Sequence, residues 1–421
     1  MNSTHIARIP RTNLLMDLLG LVPSFARDTR TKISITFRFG FSLTCLAAML
    51  LMAQAVQATS FSSAQSGPWN DSATWGGGGF PAAGDNATIN NTHTVTVSGN
   101  EAVLNLTVNG GAVLALSGGS VLTVTGTSIL NSGTISGSGT FDCQGDLSFV
   151  NRASFSAALV VSSSGGSLTR IQNDGSALIT FDGTIAVASG ATLQIDVNRT
   201  LIANSDVTMS STGTLSGLSN SRLQFNGATL TNNGTVSPPN VDFNRNGAQS
   251  IAGTGMWTGS NINIGGSNAT NTSLSAAQTF GISGTLTVNG GSTMTVNNPL
   301  TVGTANITNG GIIAISSTLS YNPTQGSIRD FLNTGGGVVS GAGTFQAQGD
   351  INFVNRGSVS AALVVSSSGG SLTRIQNDGS ALITFDGTIA VASGATLQID
   401  VNRTLVANSD VTVSGTGTLS A

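Results

Sequence analysis

The chain has 421 residues, of which 8% are charged, with 15 basic and 18 acidic side chains and a net charge of −3. From Thr59 onward there are nine arginines, no lysine and sixteen acids, a balance of −7 that excludes the clustered basic footprint of a nucleic-acid binder. Cys143 is the one cysteine in that part, which excludes an internal disulfide framework.

The first 58 residues differ from the rest. They hold six basic residues against Asp17 and Asp28, then the apolar run "FGFSLTCLAAMLLMAQAVQA" from Phe39 to Ala58. A basic flank, an apolar stretch and a small-residue exit make an export signal, with cleavage expected between Ala58 and Thr59. A retained membrane anchor is the rival reading, since the run approaches bilayer-spanning length.

The next segment, Thr59–Asn86, contains "SGPWNDSATWGGGGFPAAGD". It is rich in glycine but lacks the Lys-Ser/Thr of a phosphate loop. Downstream, "THTVTVSG", "AVLNLTVNGG", "AVLALSGG" and "SVLTVTG" run almost without interruption between Thr92 and Gly126. Each alternates apolar and polar residues and closes on Gly or Asn, which predicts short strands with cheap turns. Helical periodicity is absent after residue 60, so the region is expected to be all-β.

Two architectures fit such strands: tandem sandwiches, or a solenoid whose turns stack on one another. Repeats favour the second. Ser156–Leu201 and Ser360–Leu405 are identical at all 46 positions, within a longer duplicated block covering 140–217 and 344–421. From Leu106 to Gly139 is 33 positions, whereas the matching Leu286 to Gly343 is 57. The surplus of 24 is the length of one coil, which a solenoid absorbs without disturbing its neighbours. A loop extruded around Tyr321–Asp330 would also account for it. The refrains beginning at Asn131, Asn232 and Thr334 put Asn or Thr before a glycine turn, and equivalent amides in stacked coils can hydrogen-bond from rung to rung. The expected fold is a right-handed parallel β-helix over 87–421, behind an N-terminal cap segment, 59–86. Coils of about 20–24 residues at rungs ~4.8 Å apart make a rod of roughly 75–85 Å.

Candidate chemistry is sparse. His93 is the one histidine after the export segment, and a serine triad or zinc site would have to use it. Acids are more numerous: Asp146, Asp174, Asp182 and Asp196 recur as Asp350, Asp378, Asp386 and Asp400, and Asp206 recurs as Asp410. Paired carboxylates in a groove would hydrolyse a glycosidic bond. The bland alternative is that they close turns and pair with nearby cations, Arg170 with Asp174 and Arg199 with Asp196. No cofactor or metal-ligand spacing is read.

The segment Ser66–Gly119 resembles the start of many bacterial exported surface proteins and the G8 segment of secreted β-helix proteins. Trp69, Trp75, Gly77, Pro81, Gly84 and Asp85 carry that likeness. The rest looks like autotransporter passengers and filamentous-haemagglutinin-type adhesins. The resemblance implies a secreted or cell-surface rod whose partners are glycans or neighbouring cells, joined to a membrane only through an anchor outside this chain or an uncleaved signal. It also implies that the chain is part of a longer protein. A polysaccharide-degrading β-helix enzyme is the second reading.

Overall fold

Strand Thr94–Val97 buries Val95 and Val97 completely while its two threonines face outward, and this two-residue alternation recurs in strand after strand. Every inward Val, Leu or Ile that leaves water stabilises the fold by about 1.5–3 kcal/mol. One continuous apolar interior results, from Trp69 to Leu397. The computed structural model describes residues 58–421 apart from 151–153, 163–167, 172–177, 324–327, 367–371 and 377–381, and the side chains of 148–150. The export segment expected over 1–58 lies outside the described residues except for Ala58, as do Asp174 and Asp378.

The described chain is a parallel β-solenoid of about 15 turns. Each turn lays one strand on each of three faces. The first face begins with Ser60–Ser62 and Asn86–Ile89 and continues past Leu168–Ile171 to Val411–Val413. The second is a series of seventeen strands from Gly67–Pro68 to Thr418–Ser420. The third runs from Asn100–Val103 to Ser358–Val359, followed by Leu382–Phe385 and Thr404–Ala407. All pairings are parallel, so each rung repeats the inward register of the last. Turn length varies: Arg222 lies beside Asn240, 18 positions on, whereas Leu159 lies beside Ile185, 26 positions on. Among the described residues there is no α-helix; Ser72–Trp75 is a short 3-10 turn.

Inside the solenoid, rings stack along the axis. Phe331 lies 4.6 Å from Phe353, and Phe353 lies 5.2 Å from Phe385. Asn309, Asn333 and Asn355 form a buried amide ladder, each passing a side-chain N–H to the next carbonyl at 2.8 and 2.7 Å. Corners use residues that accept the left-handed region: Asn198, Asn220 and Asn402 have φ of 56°, 57° and 59°. At Gly137 (φ 107°) a Cβ would also stand 2.0 Å from the Leu116 carbonyl oxygen, so that corner admits glycine alone.

The 24-residue surplus is a complete turn. Four strands separate Leu106's strand from Thr140–Cys143, and seven separate Thr285–Val288 from Thr344–Ala347. Three added strands account for the surplus without an extruded loop. Of the Tyr321–Asp330 stretch, 324–327 lie outside the described residues, with Tyr321 ending one strand and Arg329–Asn333 resuming on the second face.

Leu159, Ile171, Ile179, Phe181, Ile185 and Leu193 are all at most 3% exposed, as are their counterparts Leu363, Ile375, Ile383, Phe385, Ile389 and Leu397. The expectation of matching environments holds for burial and fails for position. Leu168–Ile171 lies on the first face, but its copy in Leu372–Gln376 lies on the second. Leu178–Phe181 moves from the second to the third, and Ile185–Val187 from the third to the first. Corresponding strands are 28 apart in chain order, nine turns and one strand, so the duplicate is rotated by one face.

Candidate functional site

Three of the four first-copy acids are described, and each occupies a different corner of the solenoid. Asp146 lies between Thr140–Cys143 on the third face and Leu147–Val150 on the first. Asp182 lies between Leu178–Phe181 on the second and Ile185–Val187 on the third. Asp196 lies between Thr192–Ile195 on the first and Thr200–Ala203 on the second. The rotated copies occupy different corners again: Asp350 is at the first-to-second, Asp386 at the third-to-first and Asp400 at the second-to-third. The described acids thus lie at separate corners.

What the acids do is local. Asp182 Oδ1 accepts the Asn204 side-chain N–H at 2.7 Å, and Asn204 Oδ1 accepts from Asn226 at 2.8 Å, an outer ladder along one corner. Asp386 repeats the first step with Asn408 at 2.8 Å. Asp206 Oδ1 accepts the Ala228 and Thr229 backbone N–H groups of the next turn. Asp196 Oδ1 accepts the Val197 N–H at 2.8 Å, and Asp400 accepts that of Val401 at 3.0 Å. The expected partner Arg199 contributes its backbone N–H to the Asp196 carbonyl, not its guanidinium. Arg222 and Asp242 do form an ion pair, which joins neighbouring turns of the second face and was not legible as a pair from spacing alone.

His93 has a partner that sequence spacing did not suggest. Its Nδ1 lies 2.7 Å from Ser63 Oγ, which also accepts the Asn90 N–H, while Asn90 Nδ2 donates to the Ser63 carbonyl. Ser63 is 2% exposed, and no carboxylate hydrogen-bonds to His93 among the described residues. The pair ties the segment after Ala58 to the following turn and has neither the acid nor the access of a triad.

Within the N-terminal motif, Trp69, Trp75 and Pro81 are joined by hydrogen bonds. Trp69 and Trp75 are buried with ring centroids 5.1 Å apart. Trp75 Nε1 donates to the Trp69 carbonyl, and Trp69 Nε1 to that of Pro81. Gly77 and Gly84 take φ of 90° and 96°, and Asp85 accepts the Thr59 and Ala82 N–H groups. The scissile pair expected for export, Ala58 and Thr59, is exposed, with Thr59 at the edge of this cluster.

Cys143 is completely buried. Burial pushes its thiol up to about 12, and its Sγ contacts the Gly145 carbonyl and Thr169 Oγ1. It is a packed interior side chain. On the outer surface a cleft of about 470 Å³ is lined in part by Asp146 and Arg170. Among the described residues no three His, Cys, Asp or Glu side chains could share a metal ion. No protein-family model, no curated protein and no solved structure matches the chain.

Proposed function

We propose that the protein is an exported surface rod with a structural and adhesive role, engaging glycans or neighbouring cells along its length. The observation that carries this reading is the scatter of the acids: Asp146, Asp182 and Asp196 sit on three separate corners, where hydrolysis needs two carboxylates facing one bond. The faces themselves support it. On the third face Thr229, Ser250, Ser273, Thr295, Ala314 and Ser340 stand in line on successive turns, an uncharged and mostly hydroxyl-bearing row. Such a row offers many weak, equivalent contacts, and affinity then grows with the number engaged together.

Export with cleavage after Ala58 belongs to the same reading, as does a capping role for Thr59–Asn86, whose buried tryptophans close the apolar interior at that end. Two measurements test it. N-terminal sequencing of the secreted protein should begin at Thr59, and a start at Met1 rejects cleavage. A glycan and cell-binding assay run beside a polysaccharide-depolymerisation assay should register binding without product. Released oligosaccharide would establish the enzyme reading instead.

A further inference from the structure

We propose that the cleft at the corner between the third and first faces is a binding site for a neutral saccharide. This rests on the reading that the rod engages glycans and names one place where it does so. The cleft, about 470 Å³, falls in the size range of small-ligand sites. Its walls come from three successive turns: Thr125 and Thr127, then Asp146, then Leu168 and Arg170.

The lining has the chemistry of a hydroxyl-recognition site. Asp146 only accepts hydrogen bonds, Arg170 only donates them, and the two threonines do both. A sugar hydroxyl needs one partner of each kind. Leu168 and Arg170 point outward because the residue between them, Thr169, is buried, so Leu168 offers an apolar surface to the C–H face of a ring. Among the described residues, no ion pair or hydrogen bond is made by the Asp146 carboxylate or the Arg170 guanidinium. One charge of each sign leaves the cleft neutral. The cleft thus has no net charge to favour a charged sugar over a neutral one.

The floor is backbone. A Cβ at Gly145 would stand 1.8 Å from the Gly126 carbonyl oxygen, and one at Gly126 would stand 2.6 Å from that of Leu104. Those glycines hold the corner in, and the recess follows. In the second copy Asp350, Leu372 and Arg374 repeat the acid, leucine and arginine in a different setting. There the turn above brings Pro323, whose Cδ would lie 2.8 Å from a Cβ at Gly349, the counterpart of Gly145. Asp350 Oδ1 is also engaged, accepting the Leu372 N–H at 2.8 Å.

The test uses the purified chain on an array of neutral and carboxylated oligosaccharides, with Asp146→Asn, Arg170→Gln and Asp350→Asn variants alongside. Binding to neutral glycans is expected to fall about tenfold or more in the first two, the scale of a lost hydrogen bond to a charged group. Asp350→Asn should bind as the parent does, since asparagine keeps the carbonyl that Leu372 uses. Asp146 and Arg170 are exposed, and unchanged thermal unfolding will show that the variants are folded. Glycan binding that persists in both cleft variants, or that is confined to carboxylated sugars, overturns the cleft and leaves the adhesive rod standing. No glycan bound by the parent protein overturns the cleft and the glycan-binding part of the adhesive reading, whose cell-binding part the cell assay decides.

Discussion

Arg170 and Arg374 occupy the same place in the duplicated sequence and project from different faces of the solenoid. Arg170 pairs with Gln194 on the first face, whereas Arg374 sits between Asn352 and Gln398 on the second. Identical residues therefore display one surface in two directions, and nothing in the interior resists this. Each face asks only for alternate inward apolar residues, so the unit that can be inserted is one strand with its corner, a third of a turn.

That equivalence can be tested by deletion. Thr285–Ser292 is one strand and corner, "TLTVNGGS", followed by the similar "TMTV" of Thr293–Val296. Removing it should leave a folded chain in which Thr293–Val296 moves to the second face, beside Asn261–Ile264. Cysteines placed at Asn263 and Thr295, in a Cys143→Ala background, report the move. In the intact chain Asn263 is beside Thr287 and Thr295 beside Ser273, on different faces. A short thiol cross-linker should join the pair in the deletion variant and not in the parent. Failure to cross-link in a folded deletion variant means that the faces are not interchangeable.

Excising Ser360–Leu405 tests the larger module. The junction would join Val359 to Val406, uniting two strands that both lie on the third face, six strands apart. Register and face are preserved, so the rod should shorten by two turns, about 10 Å, and stay cooperative in thermal unfolding. Small-angle scattering gives the length. Global unfolding of this variant would count against independent stacking of turns.

The two asparagine ladders should differ in weight. Asn333→Ala removes the middle of the buried ladder and strips a partner from Asn309 and Asn355 on either side, a cost of about 1–3 kcal/mol for unsatisfied buried groups. Asn204→Ala breaks the exposed ladder between Asp182 and Asn226, where water replaces the lost bonds, and should cost about 1 kcal/mol or less. Chemical denaturation of both variants decides, and equal losses would refute the burial argument.

Cys143 predicts an alkaline instability. Its thiol is pushed up to about 12 by burial, while an exposed thiol in the unfolded chain titrates near ~8.5. The unfolded state then loses a proton that the native state keeps. The contribution is intact below about pH 8.5 and falls with rising pH, by about 1.4 kcal/mol per pH unit, until the native thiol itself ionises. Cys143→Ala, the residue found at the equivalent Ala347, should flatten the decline between pH 9 and about 11. Burial also raises Tyr321, but that group is common to parent and variant, so their difference isolates the thiol. Identical pH profiles would rule the mechanism out.

Much of the fold was legible in the residues. Alternation of the "TVTV" and "LTVNGG" kind marks strands and their inward sides, because side-chain direction in a strand depends only on local geometry. The surplus of 24 residues marked an added turn, since stacked turns contact only their neighbours. The site was less legible. Asp146, Asp182 and Asp196 read as a potential cluster because they are close in sequence, yet corner positions separate them around the axis. Arg222 with Asp242, Ser63 with His93, and Asp146 with Arg170 are each brought near by stacking across a full turn.

The sequence by itself determined the all-β class, the inward residues, the glycine and asparagine corners and the solenoid, because each follows from a strand's two-residue period and its turn chemistry. Only the tertiary structure decided which face each strand occupies. Face depends on the running count of strands from the N-terminus, and one extra strand anywhere turns everything after it. That is why the described residues of the identical segments Ser156–Leu201 and Ser360–Leu405 bury matching side chains from Leu159 and Leu363 to Leu193 and Leu397 and look outward in different directions.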